Sequence, residues 1–333
     1  MNLLNPSVGI VVLSWNDWKN TSELLESIFK SDYVNYDVIV VDNNSDIEHF
    51  EKLLNWCKKK KIKVNRINFK PKTAHKKKVG KNLYIYRNTK IANIRFAKNI
   101  GVAPGYNRGI NYALKNNYEF VVKLDCDFLV TKNFISGMVK TLKENKNAAT
   151  VSPKVYYYLK KKTKIIWWKG LNFTKNYFRF HRTGVGSERR TLDKGQFKGL
   201  IKTDSICGCC VMFRSKILKK VGQLDENFFF GPEDIEHSKR IKKYGSLLVN
   251  LDYYTYHKVS QSFFISGIKA RYYFETIGWL LIIKRMCNTK DQFLGQLYFV
   301  IRGISHFIRL LYKKDKNPHI GFLLGLKDYF LKY

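Results

Sequence analysis

The chain reads as an α/β fold, with a mostly parallel central sheet flanked by helices and an amphipathic helical tail behind it. Three observations predict this. Residues 8–13 and 38–41 are continuous apolar runs, as in strands buried on both faces. Apolar residues at helical spacing follow each run, and a strand–helix–strand–helix order implies a parallel sheet with helices on both faces. Acids stand where the apolar runs end, at Asp42, Asp125 and Asp127, and open α/β sheets bind ligands at the carboxyl ends of their strands.

The elements follow in order. The first run turns at Ser14-Trp15-Asn16-Asp17, and Leu24, Leu25, Ile28 and Phe29 then fall at helical spacing. The second run ends at Asp42-Asn43-Asn44-Ser45-Asp46, and a helix is expected over residues 47–58. Residues 68–92 are basic and weakly patterned, and read as a surface insertion. Residues 99–109 form a glycine-rich turn that opens a helix carrying Ile110, Ala113 and Leu114. Glycine permits close backbone approach there, and a helix start favours anions.

Residues 121–127 are the most informative stretch. Side chains alternate along a strand, so Asp125 and Asp127 point the same way, with Cys126 pointing away into packing. Two hard oxygen ligands can hold a divalent cation, and the cation can clamp a diphosphate. Taken alone, the pair is more often a strand running into an acidic turn, since Asp favours turns.

A helix over about 132–144, a strand over 148–152, an aromatic and β-branched region over 155–182 and a polar loop over 183–204 come next. Residues 206–213 read as a strand, in which Gly208 signals close packing or ligand approach. Glu233-Asp234 opens a helix, a position where acids also serve as plain caps. Residues 247–251 are a further strand, with His257 shortly after. The tail, 265–333, interleaves Trp279, Leu280, Ile283, Phe293, Leu297 and Ile301 with Lys284, Arg285, Arg302 and Arg309. Such helices pack on the main domain or lie on anionic lipid. The chain divides accordingly into residues 1–262 and a helical region, 263–333.

The net charge of +35 points to nucleic acid, an anionic membrane or anionic substrates as partners. No helix-turn-helix, RNA-binding or zinc pattern accompanies it, and acid-tipped strands repel phosphate unless a cation intervenes, so nucleic acid is set aside. The six cysteines show no regular disulfide framework, which favours a reducing compartment. No basic leader or bilayer-length apolar run is visible, so the expected location is cytoplasmic, on the inner face of the cytoplasmic membrane.

The ordered motifs resemble the family 2 inverting glycosyltransferases of the GT-A (Rossmann-like) fold, in particular the bacterial rhamnosyl- and galactofuranosyltransferase branch. They are VGIVVLSWN (8–16), VIVVDNNS (38–45), NIGVAPGYNRGI (99–110), LDCD (124–127), GCCVMFR (208–214), GQLDENFFFGPEDIE (222–236) and YHKVSQS (256–262). The resemblance implies nucleotide and donor contacts at Ser14, Trp15, Asn16, Asp42, Asn99, Gly101, Asn107 and Asp125. It implies a divalent cation, Mg²⁺ or Mn²⁺, on Asp127 with Asp125 and His257, and a general base at Asp234 with Glu233 as the fallback. Pro104 and Tyr106 depart from the family's glycine-rich segment, and the segment at Arg271 follows its pattern only loosely.

The implied activity is transfer of a sugar from a nucleotide-diphosphate donor to a saccharide or lipid-linked saccharide. This would serve cell-surface polysaccharide or glycolipid synthesis. One base and no enzymatic nucleophile imply inversion at the anomeric carbon. The alternative reading, a nucleotidyltransferase, shares the sheet and the acid pair, but needs a basic glycine-rich signature directly after the first strand, and Ser14-Trp15-Asn16 of this chain does not match it.

Overall fold

The structure, a computed structural model, describes residues 5–62, 65–67, 82–87, 91–95, 99–173, 182–183, 190–259, 262–287, 289–311 and 317–333. The elements are β1 (Val8–Ser14), α1 (Trp18–Phe29), β2 (Tyr36–Asp42), α2 (Ile47–Lys59), β3 (Asn65–Ile67), β4 (Asn82–Arg87) and β5 (Ile91–Arg95). Then come α3 (Val102–Lys115), β6 (Phe120–Asp125), β7 (Phe128–Val130), α4 (Phe134–Glu144), β8 (Ala148–Tyr158), β9 (Lys162–Trp168), β10 (Asn172–Phe173) and β11 (Arg182–Thr183). The chain continues through β12 (Leu200–Lys202), β13 (Cys210–Arg214), α5 (Ser215–Val221), α6 (Glu233–Ile241), β14 (Ser246–His257), α7 (Ser262–Met286), α8 (Thr289–Leu311) and α9 (Asn317–Lys332).

The heart of the sheet is parallel. β1 lies between β2 and β6 and runs parallel to both, and β5 extends the parallel set beyond β2. Outside this heart the pairing is mixed. β13 is antiparallel to β6 and β8, whereas β8 and β14 run parallel. The expected "mostly parallel" sheet therefore holds for β5, β2, β1 and β6, while β3 and β4 pair antiparallel beyond them.

The apolar runs are continuous because each strand feeds two cores. Ile10, Val12, Val38 and Val40 join one cluster with Leu24, Leu25 and Ile28 of α1 and Phe134 and Met138 of α4. Val11, Ile39 and Val41 face the other cluster, with Tyr106, Ile110 and Ala113 of α3. Full burial of each such side chain stabilises by about 1.5–3 kcal/mol, so both faces hold the strands in register. That register sets Ser14 against Asp42 and Leu13 against Asp125, which aligns three strand ends along one edge.

Several boundaries differ from expectation. β5 and β4 fall within or overlap the basic insertion, and β5 is a true sheet strand; residues 68–81 and 88–90 lie outside the described residues. Residues 206–209 are not strand. A turn closed by Cys210 N–H donating to Cys207 O (3.1 Å) delays β13 to Cys210. β14 runs on to His257, so this histidine ends a strand rather than following one. It does so because β7 pairs with it, His257 opposite Phe128.

The helical tail is bound to the sheet domain. Ile277, Leu280, Leu281 and Ile282 of α7 bury with Phe228, Ile235 of α6 and Tyr329 of α9. Gly278 lets α7 approach closely, since a Cβ there would lie 2.4 Å from Gly231 O. Gly267, at φ 75°, breaks α7 near its start. Among the described residues no helix is long and apolar enough to cross a membrane.

Candidate active site

The three aligned strand ends open into a cavity of about 380 Å³. Trp15, Asn99, Gly101, Asp125, Asp127, Glu233, Asp234 and His257 all border it. They stand at or beside the ends of β1, β6, α3, α6 and β14. Ser14, Asn16, Asp42 and Asn107 do not border it.

Each of these four has a structural bond. Ser14 Oγ pairs with Thr21 Oγ1 at 2.8 Å. Asn16 ties the β1 turn to the β2 turn: its N–H donates to Ser45 Oγ at 2.8 Å, and its Oδ1 accepts from Asp46 N–H at 2.7 Å. Asp42 Oδ1 accepts from Ser45 N–H at 2.8 Å. Asn107 is fully buried and faces away, since its amide exchanges hydrogen bonds with the Leu224 backbone at 2.8 and 3.0 Å.

The turn before α3 is shaped by residues the sequence reading passed over. Asn43 Nδ2 donates to Asn99 Oδ1 (2.8 Å) and Gly101 O (3.0 Å), and its Oδ1 accepts from Ile100 N–H (3.0 Å). Gly101 has φ +93°, and a Cβ there would lie 2.7 Å from Phe229 O, so only glycine fits. The helix start is less open to an anion than expected. Val102 N–H donates to Phe229 O at 2.6 Å, and Pro104 has no N–H.

On the cavity wall, His257 Nε2 lies 3.0 Å from Asp127 Oδ2. The imidazole stacks on Phe128 (4.5 Å between centroids) and meets Trp167 edge-on (4.3 Å), which fixes its plane. Asp125 accepts a hydrogen bond from the Tyr106 hydroxyl. Burial pushes Asp125 above the usual carboxylate range, while Lys123 pulls it back. Cys126, expected to point away, packs on the core and also borders the cavity.

Among the described residues no three His, Cys, Asp or Glu side chains form a ready-made metal cluster. The fit to a divalent cation is of another kind. Asp127 and His257 sit together at the cavity wall, and Mg²⁺-type ions commonly take one or two protein ligands and complete their shell with phosphate oxygens and water.

At the other end stands a carboxylate pair around a buried lysine. Lys123 is 1% exposed; its Nζ donates to Glu233 Oε1 (3.1 Å) and to Gly208 O, and lies 4.4 Å from the Tyr106 ring centre. Burial opposes its charge, but Glu233, Asp125 and Asp234 outweigh burial and hold its pKa above the ordinary value. Asp234 is half-buried. Burial and the neighbouring Glu233 push it up to about 6, against the pull of Lys123. Gly208 is what makes room for it, since a Cβ there would lie 2.6 Å from Asp234 Oδ2. Lys123 was the missed residue. Its one signal was a lysine two positions before Asp125, inside an otherwise apolar strand.

Residues 73–222 match the family described as Glycosyl transferase family 2. That segment contains Asp125 and Asp127 but stops short of Glu233 and Asp234. The sequence matches none of the curated proteins. Among solved structures, GalNAc-T7 with UDP, GalNAc and Mn²⁺ superposes with TM-score 0.56 at 15% identity, over 76% of this chain and 43% of that one. S. aureus TarS superposes with TM-score 0.54 at 14% identity, over 98% of this chain and 49% of that one. Its 1–349 portion in complex with UDP-GlcNAc gives 0.55 at 14% identity, over 97% and 80%.

The fold is GT-A.

This chain spans about half the length of GalNAc-T7 and of full TarS. The alignment with the 1–349 portion of TarS covers 97% of this chain and so reaches into the helical tail. At these identities it speaks for the fold and not for the branch, and the rhamnosyl- and galactofuranosyltransferase expectation gains no support from it.

Proposed function

We propose that the protein is a metal-dependent, inverting glycosyltransferase. It takes a nucleotide-diphosphate sugar as donor and a hydroxyl of a saccharide or lipid-linked saccharide as acceptor. The observation that carries the reading is the single cavity with Asp125, Asp127 and His257 at one end and Asp234 at the other. Uridine nucleotides and Mn²⁺ in the similar structures support the donor and cation classes.

The division of labour follows from the contacts. Asp127 and His257 would hold a divalent cation, which when bound offsets the charge of the leaving diphosphate. Asp125, steadied by Tyr106, faces the donor. Arg271 of α7 also borders the cavity and adds positive charge beside that diphosphate. Glu233 is held by Lys123, whereas Asp234 reaches the cavity with a pKa of about 6. A base of that strength is ionised at neutral pH and still takes up a proton well. Asp234 therefore removes the acceptor proton, and with Glu233 held by Lys123 and Asp125 by Tyr106 the reaction runs as a single displacement with inversion.

The proposal extends to location. Phe293, Leu297 and Ile301 are exposed at successive turns of α8, in a chain of net charge +35. An apolar stripe on a basic protein suits an anionic membrane surface, which would bring the enzyme to lipid-linked acceptors. Flotation with anionic vesicles should fall when Phe293, Leu297 and Ile301 are replaced by Asp; undiminished flotation refutes the membrane role.

The activity is tested by thermal shift with UDP, UDP-sugars and nucleoside triphosphates, each with and without Mn²⁺. We expect UDP or a UDP-sugar with Mn²⁺ to raise Tm, and Asp127→Ala to abolish the Mn²⁺-dependent part. Pyrophosphate release from a triphosphate, without nucleotide-diphosphate release from any sugar nucleotide, would overturn the reading in favour of a nucleotidyltransferase.

A further inference from the structure

A second cavity, of about 260 Å³, shares Asp234 with the first. We infer that it seats the sugar ring of the acceptor. This deepens the reading of Asp234 as the base and rests on it.

Asp234, Gly208, Gly231 and Trp167 border both cavities, so the two spaces meet at the base. Asp125, Asp127 and His257 border only the first. In a single displacement the attacking oxygen must enter opposite the leaving diphosphate. With the diphosphate at the Asp127 end, the acceptor has to arrive from the Asp234 side, where the second cavity opens. The acceptor O–H then gives its proton to the Asp234 carboxylate. Its oxygen bonds to the anomeric carbon, and the carbon–oxygen bond to the diphosphate breaks, the electron pair leaving with the nucleotide diphosphate.

The lining says which ligand fits. Among the described residues that border the second cavity Asp234 is the one charged side chain, so none of them answers a phosphate. Trp167 and Trp168 of β9 and Trp279 of α7 supply indole faces instead, all three half-buried. A pyranose has an apolar C–H face that packs on such rings and a hydroxyl edge that seeks a carboxylate. At about 260 Å³ the space falls just below the range of drug-sized sites, which suits a sugar unit and not a whole sugar nucleotide. Trp167 also meets His257 edge-on at 4.3 Å, so one indole touches both halves of the site.

The test is binding of methyl and octyl glycosides by saturation-transfer NMR, alongside the thermal shift given by UDP with Mn²⁺. Trp279→Ala should weaken glycoside binding at least tenfold and leave the UDP shift intact. Leu171→Trp, which fills the cavity instead of emptying it, should do the same and guards against a folding defect in the first variant. Trp168→Phe, which keeps an aromatic face, should retain most of the binding. The inference is overturned if the wild type binds no glycoside, if both variants bind as the wild type does, or if the UDP shift disappears with the glycoside signal. Glycoside binding that depends on these residues in a wild type showing no nucleotide shift would instead sink the glycosyltransferase reading, and the acceptor role with it.

Discussion

Asp234→Asn should make the protein more stable and inactive at once. Burial and the Glu233 charge lift Asp234 from its ordinary 3.8 to about 6. At 1.36 kcal/mol per tenfold, that displacement corresponds to about 3 kcal/mol by which the folded state disfavours the ionised carboxylate. The folded pKa is the higher one. The stabilising contribution is therefore present in full below pH 3.8 and is lost as pH rises through about 6. Asparagine escapes that loss, and its Oδ1 can still accept from Ile235 N–H, a bond of 3.0 Å in the native protein. Its new Nδ2 donor costs ~1 kcal/mol if it finds no partner near Gly208. The expected net gain is about 2 kcal/mol at pH 8, a Tm rise of several degrees. The assay is urea unfolding of both proteins at pH 8 and pH 4, with transfer measured in parallel. The gain should shrink at pH 4 as Asp234 becomes protonated, and transfer should be lost throughout. Equal stabilisation at both pH values, or destabilisation at pH 8, refutes the reasoning; retained transfer refutes the base.

The same site yields further expectations. The wild-type transfer rate should fall as pH drops through about 6, because the base must be ionised to act; a flat profile from pH 7 to pH 5 excludes Asp234. Lys123→Met strands a buried Glu233 and should cost about 3–5 kcal/mol, read as a lower urea midpoint. Gly208→Ala puts a methyl within 2.6 Å of Asp234 Oδ2. It should lower turnover more than tenfold while leaving the UDP-induced thermal shift unchanged, which separates a displaced base from a lost donor site.

What the sequence discloses here depends on the range over which each constraint acts. Buried parallel strands must be apolar on both faces, so β1, β2 and β6 announce themselves locally, and with them the edge at which Asp125 and Asp127 stand. Asn107 misleads for the same reason. It sits in the glycine-rich segment that borders the cavity at Asn99, Gly101 and Val102, yet its own amide turns to the Leu224 backbone, a partner 117 positions away. The tryptophans of the second cavity come from β9 and α7, and only folding brings them to one wall. Lys123 is the instructive case. Pattern alone tolerates a lone lysine in an apolar strand, but burial does not unless anions pay its desolvation. Its position is explained by Glu233, 110 residues onward, together with Asp125 and Asp234. Glu233, Asp125 and Asp234, without a cation between them, would drive one another to protonation. One buried cation among them keeps Glu233 paired while leaving Asp234 high enough to act as a base. A charge that breaks the apolar pattern of a central strand is therefore best read as half of a pair whose other half lies at the site.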